Sequence, residues 1–167
     1  HGEFWKKFYI QVYLPYQIRY KYTDLNRNYK KELVFYEQIK KLYGDRYIFV
    51  QDHGHITYKH TGRDKRLNDN IINNEIPIFH PNINFYLDKI SHKFHTLWST
   101  DLIHDNLLDY CTILENAEKI IIINSSFSCL CAYLNLKNVK EKIIHTNLDY
   151  IDYHESFKDW KIIKNTT

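Results

Sequence analysis

Four consecutive isoleucines, Ile120 to Ile123, constrain this chain more than any other feature. A strand with one face in water alternates apolar and polar residues, and this run does not. It therefore predicts a central strand of a parallel sheet, covered on both faces. What surrounds it fits: Leu114-Glu115-Asn116-Ala117-Glu118-Lys119 reads as the end of a helix, and Asn124-Ser125-Ser126 as a polar turn opening a new helix that runs to about residue 135. Open α/β sheets bind ligands at the carboxyl ends of such strands.

The other segments repeat the alternation of helix and strand. Lys30 to Tyr43 reads as a helix, with Leu33, Val34, Ile39 and Leu42 as its apolar set, Glu37 and Lys41 as an i,i+4 pair and Gly44 as its stop. Arg46 to Val50 is a strand that runs into the loop Gln51-Asp52-His53-Gly54-His55, and residues 56–59 suggest a further short strand. Glu75 to Asn82 is another strand, which Pro77 confines to a strand start or a sheet edge. Asp105 is placed to cap a helix carrying Leu107, Leu108, Cys111 and Leu114, Lys142 to His145 is a last short strand, and residues 149–160 look helical. The predicted fold is α/β: a Rossmann-like three-layer domain with a short, mainly parallel sheet of four or five strands. Residues 1–29 form an N-terminal helical or linker segment packed on it, 30–160 the nucleotide-binding domain and 161–167 a frayed tail.

A chain of 167 residues supports one core of ordinary size, and 44% hydrophobic with 26% charged residues is a globular balance. The 15 Tyr, 9 Phe and 3 Trp make much of that core aromatic. A net charge of +3, without a long basic run, argues against nucleic-acid binding. No apolar run approaches the roughly 18 residues of a membrane span, so a soluble, cytoplasmic protein is expected. Cys111, Cys129 and Cys131 form no CxxC pair and read as buried, reduced thiols. A chain without Met that begins at His1 is expected to be an excised fragment or processed product.

Three loops carry candidate chemistry. Asn124, Ser125 and Ser126 offer hydroxyls and backbone N–H groups to a diphosphate at a helix start; in the plain alternative Ser126 is only a helix cap. Asp52 and His53 follow a strand and are candidates for acid–base or sugar-binding roles, against a solvated loop. His80 and Asn82 flank Pro81 at another strand end, where they meet a nucleotide base or merely fill space. Glu115 either reaches a ribose or sugar or is a helix-end charge. The remaining histidines, His104 and His145 among them, have no spacing that points to catalysis, and no metal-ligand set is evident.

Tyr47 to His53, Leu114 to Ile120 and Asn124 to Leu130 together resemble the carboxyl-terminal, donor-binding half of GT-B polysaccharide glycosyltransferases of bacteria and large DNA viruses, over residues 30–146. The resemblance implies metal-independent transfer of a sugar from a nucleotide-diphosphate sugar to a glycan acceptor, with no cofactor beyond that donor. It implies that Ser125 and Ser126 contact the diphosphate, that Phe127 closes the helix start, that Asp52 and His53 face the cleft, and that His80 and Asn82 lie near the base or ribose. Gln51-Asp52-His53 departs from the His-Asp-Asp expected there. An acceptor-binding amino-terminal domain is implied as a missing partner. A non-catalytic nucleotide- or glycan-binding module is the alternative, and a basic aromatic nucleic-acid-binding domain the third reading.

Overall fold

The computed structural model describes residues 24–51, 76–81, 103–104, 106–146 and 156–164. Five strands, β1 (Ile48–Gln51), β2 (Ile78–Phe79), β3 (Lys119–Ile123), β4 (Glu141–Thr146) and β5 (Lys161–Lys164), form one sheet in the order β2-β1-β3-β4-β5. Every pairing is parallel. The isoleucine strand β3 lies at the centre, with Ile120, Ile121 and Ile122 fully buried. Pro77 precedes β2, the edge strand. Its carbonyl accepts from Ile48 N–H at 2.9 Å, so the residue that cannot donate serves as an acceptor.

Alternation along the strands sends two different sets of side chains to the two faces. Tyr47, Phe49, Phe79, Ile120, Ile122 and Ile144 meet the helices α1 (Tyr29–Tyr43), α2 (Cys111–Asn116) and α3 (Ser126–Cys131). Ile48, Val50, Ile78, Ile121 and Ile143 form the opposite face and are equally buried. Both faces are covered, as the unalternating sequence requires, and the domain is a Rossmann-like three-layer α/β unit. Each buried aliphatic side chain contributes about 1.5–3 kcal/mol relative to exposure.

Several elements correct the sequence reading. The apolar face of α1 is Phe35, Ile39 and Tyr43, spaced i, i+4 and i+8, whereas Leu33 and Val34 are 53% and 58% exposed and Leu42 is also exposed. Asn28 caps this helix, accepting from Lys31 N–H. Gly44, at φ 78°, ends it in a left-handed conformation that favours glycine. Asn106 caps the 3₁₀ turn Leu107–Tyr110 that leads into α2; Asp105 lies outside the described residues. Helix α3 stops at Cys131, short of residue 135, and its cap is Ser125, one residue before the expected Ser126. Residues 161–164 are strand β5, paired with β4, and not a frayed tail. Phe157 and Trp160, expected on a helix, come from a turn and bury their rings in the core. Cys111 and Cys131 are buried free thiols, with Cys111 pushed up to about 12 by burial, but Cys129 is exposed. The expected segment at residues 1–23 and the strand at 56–59 lie outside the described residues. No helix among the described residues is long and apolar enough to cross a membrane.

The amino ends of the strands are tied by surface ion pairs. Arg46 grips Glu118 through Nε and Nη2 at 2.6 and 2.9 Å, and Lys140 adds a contact at 3.3 Å. The hydrogen bond from Arg46 chiefly holds the Glu118 carboxyl down at about 2, from an ordinary 4.5. A depressed carboxylate contributes stability that is present above its unfolded value and lost on acidification through its folded value. We expect Glu118→Gln to flatten the acid-unfolding curve between pH 4.5 and about 2. Parallel curves for the two proteins, measured by circular dichroism, would show that the pair adds nothing.

Candidate functional site

The chain leaves β1 for β2 on one side and later passes back to β3 on the other. Such a reversal opens a crevice at the carboxyl ends of the two flanking strands, here β1 and β3. Gln51 ends β1, and Asn124, Ser125 and Ser126 follow β3. The Ser125 hydroxyl donates to Gln51 Oε1 at 2.8 Å, bridging the two strand ends across 74 positions of sequence.

The turn after β3 is built by reciprocal hydrogen bonds. Phe127 N–H donates to Ser125 Oγ at 3.3 Å, Ser125 N–H to Ser128 Oγ at 3.1 Å, and Ser128 Oγ–H to the Ser125 carbonyl at 2.6 Å. This is a capping box with serine at both positions. Asn124 N–H donates to the His145 carbonyl at 3.1 Å and so fixes the turn to β4. Ser126 is exposed, and its N–H and hydroxyl make no hydrogen bond among the described residues. Ser126 therefore presents donors to solvent, while Ser125 holds the turn in shape.

Buried polar side chains gather at this end of the sheet. Gln51, His80, His145 and Thr146 are all at most 5% exposed and close β1, β2 and β4, whereas the strand centres are aliphatic or aromatic. Phe127 packs its ring 5.4 Å from Phe49 and 5.3 Å from Tyr110, anchoring the start of α3 to the core.

The structure thus brings together Asn124, Ser125, Ser126 and Phe127, with His80 at the end of the neighbouring edge strand. Asp52, His53 and Asn82 lie outside the described residues. Glu115 does not join them. It precedes β3, whereas the serine turn follows it, and five strand residues at about 3.3 Å each separate the two. The Glu115 carboxylate instead takes both terminal nitrogens of Arg27 at 2.8 Å. Arg27 also reaches Glu32, which is buried and receives the Thr112 hydroxyl at 2.8 Å. The Glu115 hydrogen bond outweighs burial and pushes the guanidinium up, so Arg27 stays charged.

Sequence reasoning missed Gln51 as a site residue and passed over His104. His104 Nδ1 lies 2.8 Å from Asp109 Oδ2, the ring stacks on Phe35 at 3.7 Å, and its backbone N–H donates to the Tyr110 hydroxyl at 2.8 Å. The cue was a histidine five residues before an aspartate, a spacing too common to stand out. No His/Cys/Asp/Glu group among the described residues could hold a metal ion. Comparison of the chain with protein-family models, curated proteins and solved structures finds no match, so its geometry and sequence alone carry the functional reading.

Proposed function

We propose that the domain binds the diphosphate of a nucleotide sugar in the crevice between β1 and β3, and serves as the donor-binding part of a glycosyltransferase acting on a glycan hydroxyl. The observation that carries the reading is the serine turn at the strand-order reversal, held by Ser125 and Gln51 with the Ser126 donors unused. A diphosphate accepts hydrogen bonds from such N–H and hydroxyl groups, and fixed donors stabilise the charge that develops on a leaving diphosphate. The resemblance of residues 30–146 to GT-B donor domains supplies the sugar and the transfer. Nucleotide sugar and glycan are the partners in this reading, and the donor is its only small-molecule requirement.

Calorimetric titration with UDP, GDP and their sugars tests it. Binding is expected, and Ser126→Ala should weaken it about tenfold, the loss of one hydrogen bond to a charged group, while leaving thermal stability unchanged. Ser125→Ala should lower both, because removing a cap costs about 0.5–2 kcal/mol. Absence of heat with every nucleotide at millimolar concentration would sink the donor site. Binding without nucleotide release to a glycan acceptor, once an acceptor-binding amino-terminal domain is supplied, would leave a non-catalytic module.

A further inference from the structure

We propose that α1 pairs with the α1 of a second copy of this chain, antiparallel about a two-fold axis that passes between Leu33 and Val34; the pairing does not depend on the donor reading. Five large apolar side chains are exposed among the described residues, and three of them, Tyr29, Leu33 and Val34, at 66%, 53% and 58%, lie in the first two turns of this helix. Single apolar residues are common on protein surfaces, whereas a contiguous group marks a contact. Leu33 and Val34 belong to the stripe Lys30, Leu33, Val34 and Glu37, spaced i, i+3, i+4 and i+7. At about 100° per residue this stripe points away from the side of the helix that buries Phe35, Ile39 and Tyr43 in the core.

The stripe is self-complementary. Two-fold symmetry sets each residue against one equally far beyond the axis, so Leu33 meets Val34 of the second copy and Val34 meets its Leu33. By the same rule Lys30 meets Glu37, and Glu37 meets Lys30. Both are exposed, and neither makes an ion pair among the described residues, whereas Lys31 and Lys40, off the stripe, are already paired with Asp109 and Asp45. Opposite charges flanking an apolar seam fix the register of paired helices. Other registers lose the match: sliding one helix by four residues sets Lys30 against Lys41 and Leu33 against Gln38, and the opposite slide sets Leu33 against Lys30. A parallel two-fold pair would set Lys30 against its own copy. So few residues a side, against about 20–30 in a standard interface, make this a weak dimer in exchange with the monomer.

Sedimentation velocity on the full chain tests the pairing. The wild type should shift from monomer toward dimer as its concentration rises from micromolar to near millimolar, and Leu33→Ser combined with Val34→Ser should leave it monomeric throughout. Lys30→Glu and, separately, Glu37→Lys should each weaken association at least about tenfold, because each turns two exposed attractive contacts into repulsive ones. The two reversals together put opposite charges back across the axis and should restore association to within about threefold of the wild type. All four positions are exposed, so circular dichroism should show the variants folded. A wild type that stays monomeric at the highest concentration overturns the proposal, as does a dimer that survives the loss of Leu33 and Val34. Single reversals without effect, or a double reversal that fails to recover what each single one lost, overturn the two-fold register.

Discussion

Replacing Arg27 with Met is expected to destabilise the domain by about 3 kcal/mol, the lower end of the range for breaking a buried ion pair by removing one partner. The cost arises from what remains. Glu32 is buried, and its two oxygens take Arg27 Nε and Nη2 at 2.6–3.2 Å; without the guanidinium its charge keeps, among the described residues, only the Thr112 hydroxyl. Glu115, which is 21% exposed, recovers some hydration, and this sets the estimate low. Arg27→Lys should fail to rescue, because a single ammonium cannot fork between two carboxylates. Arg27→Met combined with Glu32→Met and Glu115→Gln should recover most of the loss, since an apolar replacement removes the uncompensated charge. Urea denaturation measures all three proteins. A loss below about 1 kcal/mol for the first would class the cluster with exposed salt bridges.

Phe49→Ala is expected to cost about 3–5 kcal/mol, the usual range for emptying a buried phenylalanine site. Phe49 is fully buried on the helix-covered face of the sheet, with rings of Phe79, Tyr110 and Phe127 at 5.8, 6.4 and 5.4 Å. Three different elements therefore lose contacts at once. Phe127 opens α3 directly after the serine turn, so this substitution should also lower nucleotide affinity, whereas Phe49→Leu should cost less than about 2 kcal/mol and preserve it. Thermal denaturation alongside calorimetry separates the two effects. A Phe49→Ala protein as stable as the wild type would mean that the aromatic cluster does not hold the core.

The central strand was legible because burial on both faces leaves a mark in the sequence itself, four isoleucines without a polar interruption. Pro77 was legible for a similar reason: a residue without an N–H fits only where no donor is needed. The inward face of α1 was not. Leu33, Val34, Phe35 and Tyr36 are consecutive, so apolar residues occur around much of the helix, and tertiary contacts choose Phe35, Ile39 and Tyr43. Glu32 belongs to that inward face only because Arg27, Thr112 and the hydroxyl geometry of the folded state make a buried carboxylate tolerable, and its partner in α2 is 80 positions away. The serine turn could be placed at a strand's carboxyl end from sequence. Its neighbour could not: whether Gln51 or another residue meets Ser125 depends on strand order, which no local pattern encodes. Glu115 was misplaced through counting residues along the chain, since a short distance in sequence spans the length of a strand when that strand lies between.

The two faces of the sheet differ in kind. Against the helices lie rings of fixed outline: Tyr47, whose hydroxyl donates to the Ile113 carbonyl, and Phe49 and Phe79, in edge-on and tilted contacts with Tyr43, Tyr110 and Phe127. Among the described residues, the apolar cluster on the opposite face is made of β-branched aliphatics: Ile48, Val50, Ile78, Ile121 and Ile143. Isoleucine and valine differ by one methylene, and their exchange costs only about 0.5–1.5 kcal/mol; no aromatic ring has so near a substitute. Over long divergence, mutation has many small steps open to it on the aliphatic side and few on the aromatic one. The side that packs α3 beneath the serine turn is thus the one in which neutral drift is most restricted.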